Sequence, residues 1–395
     1  RAARQAIRAR LDGINAGLDT DLLKIGQIHR QPDGGYNTQP FHWFTAFYEI
    51  LDAGGFDVIV GNPPYVTYSK VKSDYRVFGY RTEESGNLYA FVIERALKLL
   101  SQNGRFGVIV PIASISTDGM RSLQDLYRRY TQWHSNYAVR PGKLFVGVDM
   151  NLTITILYQT SSAANVYCTK YYRWFSGENS DRIFLFEKIV YCEWGGIPNH
   201  VNPLPKIGSH TEANILKKMH GHGKKVKDFI TGGGTPIYYH SGGRYWRKAL
   251  REKLSSHYKP VTVLDSFGPV VLALLNSQLF YWYWISNSNC MDVVSREVLE
   301  LPVFDLSKVE MHPFIELERE LLATYYSNQT TRARRGEIIS TDEINFDARK
   351  AKPILDRIDS ALADHYGFTD EELDFIINYD IKYRMGRDAS DGEED

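Results

Sequence analysis

The four-residue turn Asn62-Pro63-Pro64-Tyr65 carries the most specific chemistry in this sequence. The Asn62 side-chain oxygen and the Pro63 carbonyl can both accept hydrogen bonds from one amino group, and Tyr65 can lie flat against the planar ring that bears it. An aromatic amine is a poor nucleophile because its lone pair is delocalised into the ring. Two acceptors on its hydrogens localise that lone pair, so catalysis would consist of positioning and electrostatics. We therefore predict a site for an exocyclic amine.

The turn follows an apolar run, Phe56–Gly61, that predicts a buried parallel strand. Open α/β sheets bind ligands at the carboxyl ends of such strands. An ordinary turn that ends a strand is the alternative, because Pro cannot continue a central strand and favours turns. The strand and Tyr65 together favour the functional interpretation. The polar and aromatic residues 68–84 are predicted to form a mobile loop over the site.

Helix and strand signals alternate downstream of the turn. Asn87-Leu88-Tyr89 opens a predicted helix, and Asn103-Gly104 would close it with a C-cap. The remaining predicted elements are strands at residues 106–111, 135–138 and Leu152–Tyr158, and a helix at residues 118–130. The alternation predicts the α/β class, with a mostly parallel sheet and helices on both faces.

Composition limits the classes of protein that the chain can represent. Its 395 residues suffice for two or three domains, and the net charge of zero gives no global sign of a polyanionic partner. Three scattered cysteines without metal spacing predict a reducing cytoplasm and no structural zinc. The apolar residues 270–285 are fewer than the ~20 that a membrane span needs, so they predict a buried helix.

A basic and aromatic segment follows the predicted sheet. Residues 217–259 contain eleven Lys or Arg residues against two acidic ones, with tyrosines and a tryptophan interleaved. Such groups suit contacts to phosphates and bases, and a charged, solvated surface is the alternative. The residues that we predict to contact a nucleic acid here are Lys224, Lys225, Lys227, Tyr238, Tyr239, Arg244, Tyr245 and Arg247.

Several tracts in this order resemble a known family, the adenine-specific amino-N6 DNA methyltransferases fused into type IIG restriction–modification polypeptides. The resemblance rests on the Asn-Pro-Pro-Tyr turn, then Asn87-Leu88-Tyr89, the strand ending in Val110-Pro111, and Lys143-Leu144-Phe145. Later similar tracts begin at Leu274, His365 and Asn378. RNA methyltransferases and protein-glutamine methyltransferases share the turn, but they are usually compact and lack a large following domain.

The resemblance implies a role for each matching residue. Asn62 and Pro63 would hold the adenine amine, with Pro64 stiffening the turn, and Tyr65 would stack on the flipped base. Phe145 would stack on the opposite face or edge of that base, although a core role is the alternative for this residue. Contacts to S-adenosylmethionine are implied for Asn62, Asn87, Phe91 and Val92.

The same resemblance implies a domain order. Residues 1–165 would be the distal part of a Rossmann-like class I methyltransferase sheet, and residues 166–205 a connecting segment. Residues 206–310 would form an α+β target-recognition domain that binds double-stranded DNA. Residues 311–395 would form a helical region with a disordered acidic tail.

One departure from the family concerns the cofactor. The family's Phe-x-Gly-x-Gly turn is nowhere in this sequence, and the chain starts at Arg1 in mid-pattern. We therefore expect an upstream part of the same polypeptide to supply the cofactor loop. The resulting hypothesis is a site-specific DNA adenine-N6 methyltransferase of a restriction–modification system. A non-catalytic DNA-binding or specificity fragment is the alternative from another class.

Overall fold

The computed structural model describes residues 2–28, 40–159, 164–175, 185–196, 203–243, 245–332 and 343–385. Two compact units divide the chain. Unit 1 comprises Arg1–Gly195 and Val201–Pro205, and unit 2 comprises Gly196–His200 and Lys206–Asp395. The predicted boundary at residue 310 lies within unit 2. The division of the chain into four domains stays a prediction.

Unit 1 begins with helices and continues as a mixed sheet. Its helices are α1 (Ala2–Lys24), α2 (Trp43–Ala46), α3 (Tyr48–Asp52), α4 (Leu88–Leu99), α5 (Ala113–Ser116) and α6 (Arg121–Tyr127). Its strands are β1 (Phe56–Gly61), β2 (Leu100–Pro111), β3 (Thr131–Tyr137), β4 (Leu152–Tyr158), β5 (Val166–Tyr172) and β6 (Cys192–Glu193).

The six strands form one sheet in the order β1-β2-β4-β3-β5-β6. β1 pairs with β2 and β3 pairs with β5 in parallel, whereas β4 runs antiparallel to both of its neighbours. The predicted α/β class is confirmed. The prediction of a mostly parallel sheet is wrong, because only a loop and no helix separates β3 from β4, and β4 therefore returns antiparallel between β2 and β3.

Strand β1 has the predicted bounds but not the predicted burial. Among the described strands it pairs with β2 alone, so it forms one edge of the sheet. Its residues Val58 and Val60 are 60% and 79% exposed. An apolar run indicates a strand that can be buried, but no strand in the described part of unit 1 pairs with the outer edge of β1. The expectation of a buried strand is therefore wrong for this unit.

The predicted end of helix α4 is also wrong. The helix ends at Leu99, and Asn103-Gly104 lies inside β2 instead of capping the helix. A Cβ atom on Gly104 would lie 2.7 Å from the Leu100 side chain and 3.0 Å from the Phe56 carbonyl oxygen. Glycine is therefore required here because β1 approaches β2 closely, and not because a helix terminates.

Unit 2 is built mainly from helices around short strands. Its helices are α7 (His210–Gly221), α8 (Gly268–Asn276), α9 (Gln278–Asn287), α10 (Ser295–Leu299), α11 (His312–Ser327), α12 (Lys352–Tyr366), α13 (Asp370–Asn378) and α14 (Ile381–Arg384). Its strands are β7 (Lys224–Lys225), β8 (Ile237–His240), β9 (Ala249–Leu250), β10 (Tyr258–Val261), β11 (Pro302–Val303), β12 (Gln329–Arg332) and β13 (Glu343–Phe346).

The apolar stretch at residues 270–285 is buried, as predicted, but it forms two helices. Ser277 separates α8 from α9, and its hydroxyl accepts a hydrogen bond from the Phe280 N–H. The Asp359 carboxylate of α12 accepts the backbone N–H groups of Gln278 and Leu279 at 3.1 and 3.0 Å. The start of α9 is thus satisfied by two separate caps, which fixes the central helices against the carboxyl-terminal ones.

None of the helices in the described parts of the chain combines the length and apolarity needed to cross a bilayer. The predicted nucleic-acid contact of Arg244 and the predicted disordered acidic tail lie outside the described ranges.

Candidate active site

The Asn-Pro-Pro-Tyr turn follows β1 directly, at the carboxyl end of a strand in a parallel pair. Asn62 and Pro64 are exposed, Pro63 is buried, and Tyr65 is half-buried. The buried proline anchors the turn, while the carboxamide of Asn62 faces solvent. This arrangement leaves a hydrogen-bond acceptor available at the position where ligands bind in open α/β sheets.

The hydroxyl of Tyr65 fixes the turn. It lies 2.8 Å from Asn62 Oδ1 and 2.9 Å from the carbonyl oxygen of Ile109 in β2, and it can donate its hydrogen to either acceptor. Burial raises the pKa of Tyr65 to about 12, so the hydroxyl stays protonated at neutral pH. An amide oxygen has two lone pairs, so Asn62 can accept from Tyr65 and from a bound amine together.

Tyr65 and Phe145 pack against the same hydrophobic cluster. Its buried members are Tyr137, Leu144, Leu152, Tyr172, Trp174 and Leu185. The turn and the Phe145 loop, which are distant in the sequence, are therefore both in contact with this cluster. Phe145 is half-buried, and its stacking role and its core role both stay predictions.

The Phe145 loop depends on a close approach at Gly142. A Cβ atom at this position would lie 2.4 Å from Nε1 of Trp174 and 2.9 Å from the Trp174 carbonyl oxygen. Only glycine lets this part of the loop lie against the buried tryptophan. Lys143 and Asp149 form an ion pair across the same loop.

A cavity of about 680 Å³ lies beside β1. It is formed by β1, by residues 75–80, and by the outward side of α4, and Pro64 of the turn also lines it. Its size is within the roughly 300–1,000 Å³ that is usual for small-ligand sites. Of the described lining residues, Arg76 and Arg95 are charged and none is Asp or Glu.

The residues implied to contact a cofactor fall into two groups. Phe91 and Val92 line the cavity, with Phe91 buried and Val92 44% exposed. Asn62 and Asn87 are not among its described lining residues. Asn87 precedes α4, and its side-chain N–H donates to the Ser85 carbonyl oxygen at 2.9 Å. Only the helix pair Phe91 and Val92 is thus positioned at the cavity.

Residues 68–84, predicted to be a mobile loop, are held to α4 by a buried carboxylate. Glu94 Oε2 accepts the N–H and the hydroxyl of Thr82 at 3.0 and 2.9 Å, and Glu94 Oε1 pairs with Lys98 at 2.8 Å. The Lys98 ammonium lies 4.7 Å from the centre of the Tyr80 ring. Sequence reasoning missed this contact, although a carboxylate among the apolar positions of a helix was the signal that could have found it.

Four basic residues of the segment in unit 2 form ion pairs with acids that are distant in the sequence. Glu300 pairs with Lys225 at 2.5 Å and with Lys227 at 2.7 Å. Lys218 pairs with Glu372, and Arg251 pairs with Glu318. Although partial burial opposes ionisation, the two lysine ammonium groups lower the pKa of Glu300.

The other predicted contacts differ in accessibility. Lys224 is exposed, and Tyr238 and Tyr245 are half-buried. Tyr239 and Arg247 are buried, and Arg247 is only 2% exposed with its guanidinium 4.0 Å from the centre of the Trp284 ring. The structure therefore places Tyr239 and Arg247 in the core of unit 2 and not on a DNA-facing surface.

Unit 1 thus has a mixed α/β sheet, a partly exposed Asn-Pro-Pro-Tyr turn at a strand end, and an adjacent cavity. This is the architecture of a ligand-binding α/β enzyme domain. Residues 15–139 match the family profile described as "Eco57I restriction-modification methylase". The resemblance predicted from the motifs is confirmed by this match.

A curated relative and two solved structures are similar to parts of the chain. A putative type II restriction enzyme and methyltransferase of Methanocaldococcus jannaschii is 34% identical over 73 residues, which span 18% of this chain and 6% of the relative. The Type IIL restriction-modification enzyme MmeI in complex with DNA is 13% identical, covering 83% of this chain and 57% of that chain, with a TM-score of 0.42. The Type ISP enzyme LlaGI with a DNA substrate mimic is 12% identical, covering 75% and 37%, with a TM-score of 0.40.

Proposed function

We propose that this chain carries the amine-binding half of the active site of a site-specific DNA adenine-N6 methyltransferase from a restriction–modification system. The observation that carries the proposal is the exposed Asn62 carboxamide, oriented by the Tyr65 hydroxyl at the end of β1. The matched methylase family supports the same activity.

In the proposed reaction, the two hydrogens of the adenine amino group are donated to Asn62 Oδ1 and to the Pro63 carbonyl. These bonds draw the lone pair onto nitrogen, and the Asn62 oxygen stabilises the positive charge that develops there. Transfer of a methyl group to this nitrogen would leave the sulfur of the methyl donor as a neutral thioether, and the methylated amine would lose a proton to solvent. The aromatic rings of Tyr65 and Phe145 offset the stacking that is lost when the base leaves the duplex.

S-adenosylmethionine, when bound, would supply the electrophilic methyl group. The cavity beside β1 fits the apolar and aromatic part of such a molecule, with Pro64, Phe91 and Val92 as contacts. A ribose usually needs a carboxylate partner, and the described lining offers none. We therefore assign that contact to a further segment of the parent polypeptide.

The edge strand β1 supports this assignment. Its exposed Val58 and Val60 lie beside an unpaired strand edge, which is a template for pairing with another strand. A parallel strand from an upstream part of the same polypeptide would pair with this edge and extend the sheet past β1. We propose that this added part carries the cofactor loop.

Double-stranded DNA is the proposed substrate, and unit 2 provides candidate contacts. Lys224 is exposed, and Tyr238 and Tyr245 are partly accessible. Lys225 and Lys227 would have to exchange Glu300 for a DNA phosphate. These contacts would supply salt-dependent affinity rather than sequence readout.

The test is methyl transfer from labelled S-adenosylmethionine to duplex DNA by the parent polypeptide, followed by identification of the modified nucleoside. We expect N6-methyladenine, and a loss of about 10²–10³-fold in rate for Asn62→Ala because one acceptor for the developing charge is removed. Asn214→Ala, at an exposed asparagine of unit 2, is the control. Unaltered transfer in Asn62→Ala would reject the assigned role, and a methylated cytosine would reject adenine as the base.

A further inference from the structure

Helix α1 presents a narrow apolar stripe to solvent. The stripe consists of Ile7, Ile14, Leu18 and Ile25, whose side chains are between 38% and 62% exposed. These residues are spaced by seven, four and seven positions, which aligns them along one side of an α-helix of 3.6 residues per turn. Ile25 follows the last helical residue, and its N–H still donates to the Asp21 carbonyl oxygen at 3.1 Å.

A different side of α1 is attached to the rest of unit 1. The Asp19 carboxylate lies 2.7 Å from Nε2 of His42, and the Thr45 hydroxyl donates to the Asn15 side-chain oxygen at 2.6 Å. Asn15 and Asp19 lie about a quarter to a third of a turn away from the stripe. These contacts therefore hold α1 on the unit and leave the stripe accessible.

The helix lacks the packing that usually stabilises an element of this kind. None of its residues is buried, although helices in proteins gain most of their stability from packing of an apolar face. Gly13 and Gly17 lower its intrinsic stability further, because glycine is a poor helix former. We therefore expect the stripe to bind a partner.

The spacing of the stripe identifies the partner. Seven, four and seven positions form the same sequence of intervals when read in either direction. An antiparallel α1 from a second copy would therefore place Ile7 opposite Ile25 and Ile14 opposite Leu18. A twofold interface requires this kind of self-complementarity, in which one surface patch binds the same patch of another copy.

The charges beside the stripe have the same symmetry. Arg10 and Asp21 are both exposed and lie on the same flank of the stripe, at nearly equal distances from its midpoint. An antiparallel pair would bring Arg10 of each copy to Asp21 of the other, whereas a parallel pair would separate them by eleven positions. Asp21 also pairs with Lys24 at 3.1 Å, but both side chains are more than two-thirds exposed, and such a pair contributes little.

We infer that α1 binds α1 of a second copy of this chain as an antiparallel pair. The apolar stripe forms the centre of the interface, and two Arg10–Asp21 ion pairs flank it. The residues of this interface are neither in the Asn-Pro-Pro-Tyr turn nor among the described residues that line the cavity beside β1. The inference is therefore independent of the proposed methyl transfer.

Sedimentation velocity of this chain over a concentration series is the test. We expect a monomer–dimer equilibrium. Ile14→Ala and Leu18→Ala should each raise the Kd of the dimer at least about 30-fold, because each removes a buried side chain from both copies. Alanine favours the helix, so the backbone of α1 is retained. Ile315→Ala, at a 49% exposed isoleucine on α11 of unit 2, is the matched control and should change Kd less than about two-fold.

Charge reversal tests the antiparallel orientation. Arg10→Asp and Asp21→Arg should each weaken self-association, because each places two like-charged pairs in the dimer. An equimolar mixture of the two variants should associate more tightly than either variant alone, because both pairs in the mixed dimer have opposite charges. No gain in the mixture would reject the antiparallel pair.

Other results would overturn the inference as a whole. They are a monomer throughout the concentration series, or equal effects of Ile14→Ala and Ile315→Ala. The parent polypeptide is measured in the same way, and a monomeric parent would mean that another of its segments covers the stripe. Unfolding midpoints of each variant exclude loss of fold. Asn62→Ala should stay dimeric, so failure of the interface and failure of the proposed activity are distinguishable.

Discussion

The Tyr65 hydroxyl lies 2.8 Å from Asn62 Oδ1, so the aromatic residue of the turn also orients the amide that we propose to bind the amine. Its second acceptor is the Ile109 carbonyl oxygen, at 2.9 Å in the neighbouring strand. The hydroxyl therefore connects the turn to the rigid part of the sheet. The ring and the hydroxyl of Tyr65 have separable tasks, which can be tested by removing one of them.

Tyr65→Phe keeps the ring and removes the hydroxyl. We expect kcat/KM for methyl transfer by the parent polypeptide to fall by about 2- to 13-fold, which corresponds to the roughly 0.5–1.5 kcal/mol of one hydrogen bond. The loss should lie mainly in kcat, because the freed Asn62 amide no longer holds its catalytic orientation. Tyr48→Phe, at an exposed tyrosine in the same unit, is the control. Equal kinetics for both variants would show that the hydroxyl does not position Asn62.

Glu94→Gln should loosen the segment that lines the cavity beside β1. The carboxylate is buried and accepts two hydrogen bonds from Thr82, and its other oxygen pairs with Lys98. Loss of the charge removes the ion pair with Lys98. The N–H₂ group of the new side chain would also face a donor, either at Thr82 or at Lys98, which should cost about 1–3 kcal/mol of stability. Hydrogen exchange followed by mass spectrometry should then be faster in residues 75–86. Glu84→Gln changes an exposed carboxylate nearby and should leave the exchange pattern unchanged.

The sequence predicted local elements well where a strand is defined by its own residues. Strands β1 and β4 have the predicted bounds, and the helix after Asn87 was found. The C-cap at Asn103-Gly104 was wrong because glycine is typical of helix ends and of close strand approaches alike. Only the position of the Phe56 carbonyl distinguishes the two uses, and that is a tertiary contact.

The charge available in the candidate DNA-binding segment also depends on tertiary contacts that the local sequence does not predict. Composition gave an excess of basic residues, but Glu300, Glu318 and Glu372 neutralise several of them from positions far along the chain. Arg247 is buried against Trp284 for reasons of packing that no local pattern contains. The turn at Asn62 could be recognised as a candidate site because its proposed function depends on adjacent residues. The net charge of a surface depends instead on which distant residues pack beside it.

Glu300→Gln should strengthen duplex DNA binding. The substitution releases Lys225 and Lys227 from their shared carboxylate, so both ammonium groups can reach phosphates. Each new phosphate contact adds about 0.9 to the slope of log affinity against log salt concentration, so we expect the slope to steepen by about 1–2. Fluorescence anisotropy across a salt series measures this slope. Glu310→Gln removes an exposed carboxylate of the same unit and controls for net charge. Matching slopes for the two variants would mean that the paired lysines do not contact DNA.

His134 should make unit 1 sensitive to acid. It is fully buried in β3, with Nδ1 3.0 Å from the Thr155 hydroxyl and Nε2 2.8 Å from the Gln132 side-chain oxygen. Burial lowers the pKa of His134 to about 3, whereas an unfolded histidine titrates near its ordinary value of about 6.5. Between these values the unfolded chain binds a proton that the folded chain does not. Stability is therefore lost as pH falls from 6.5, by up to about 1.4 kcal/mol per pH unit for this one group.

His134→Gln removes the titrating group and keeps a polar side chain between Gln132 and Thr155. We compare the protection of β3 and β4 against hydrogen exchange, corrected for the intrinsic exchange rate, at pH 5 and at pH 6.5. This protection should change less with pH in the variant than in the unmodified chain. Over that interval the difference in opening free energy should be about 1.7 kcal/mol, because the unfolded histidine binds half a proton at pH 6.5 and nearly one at pH 5. His312→Gln, at an exposed histidine of unit 2, should leave the pH dependence of β3 and β4 intact. If the glutamine variant retained the full acid sensitivity, the proton would have to be taken up elsewhere in unit 1.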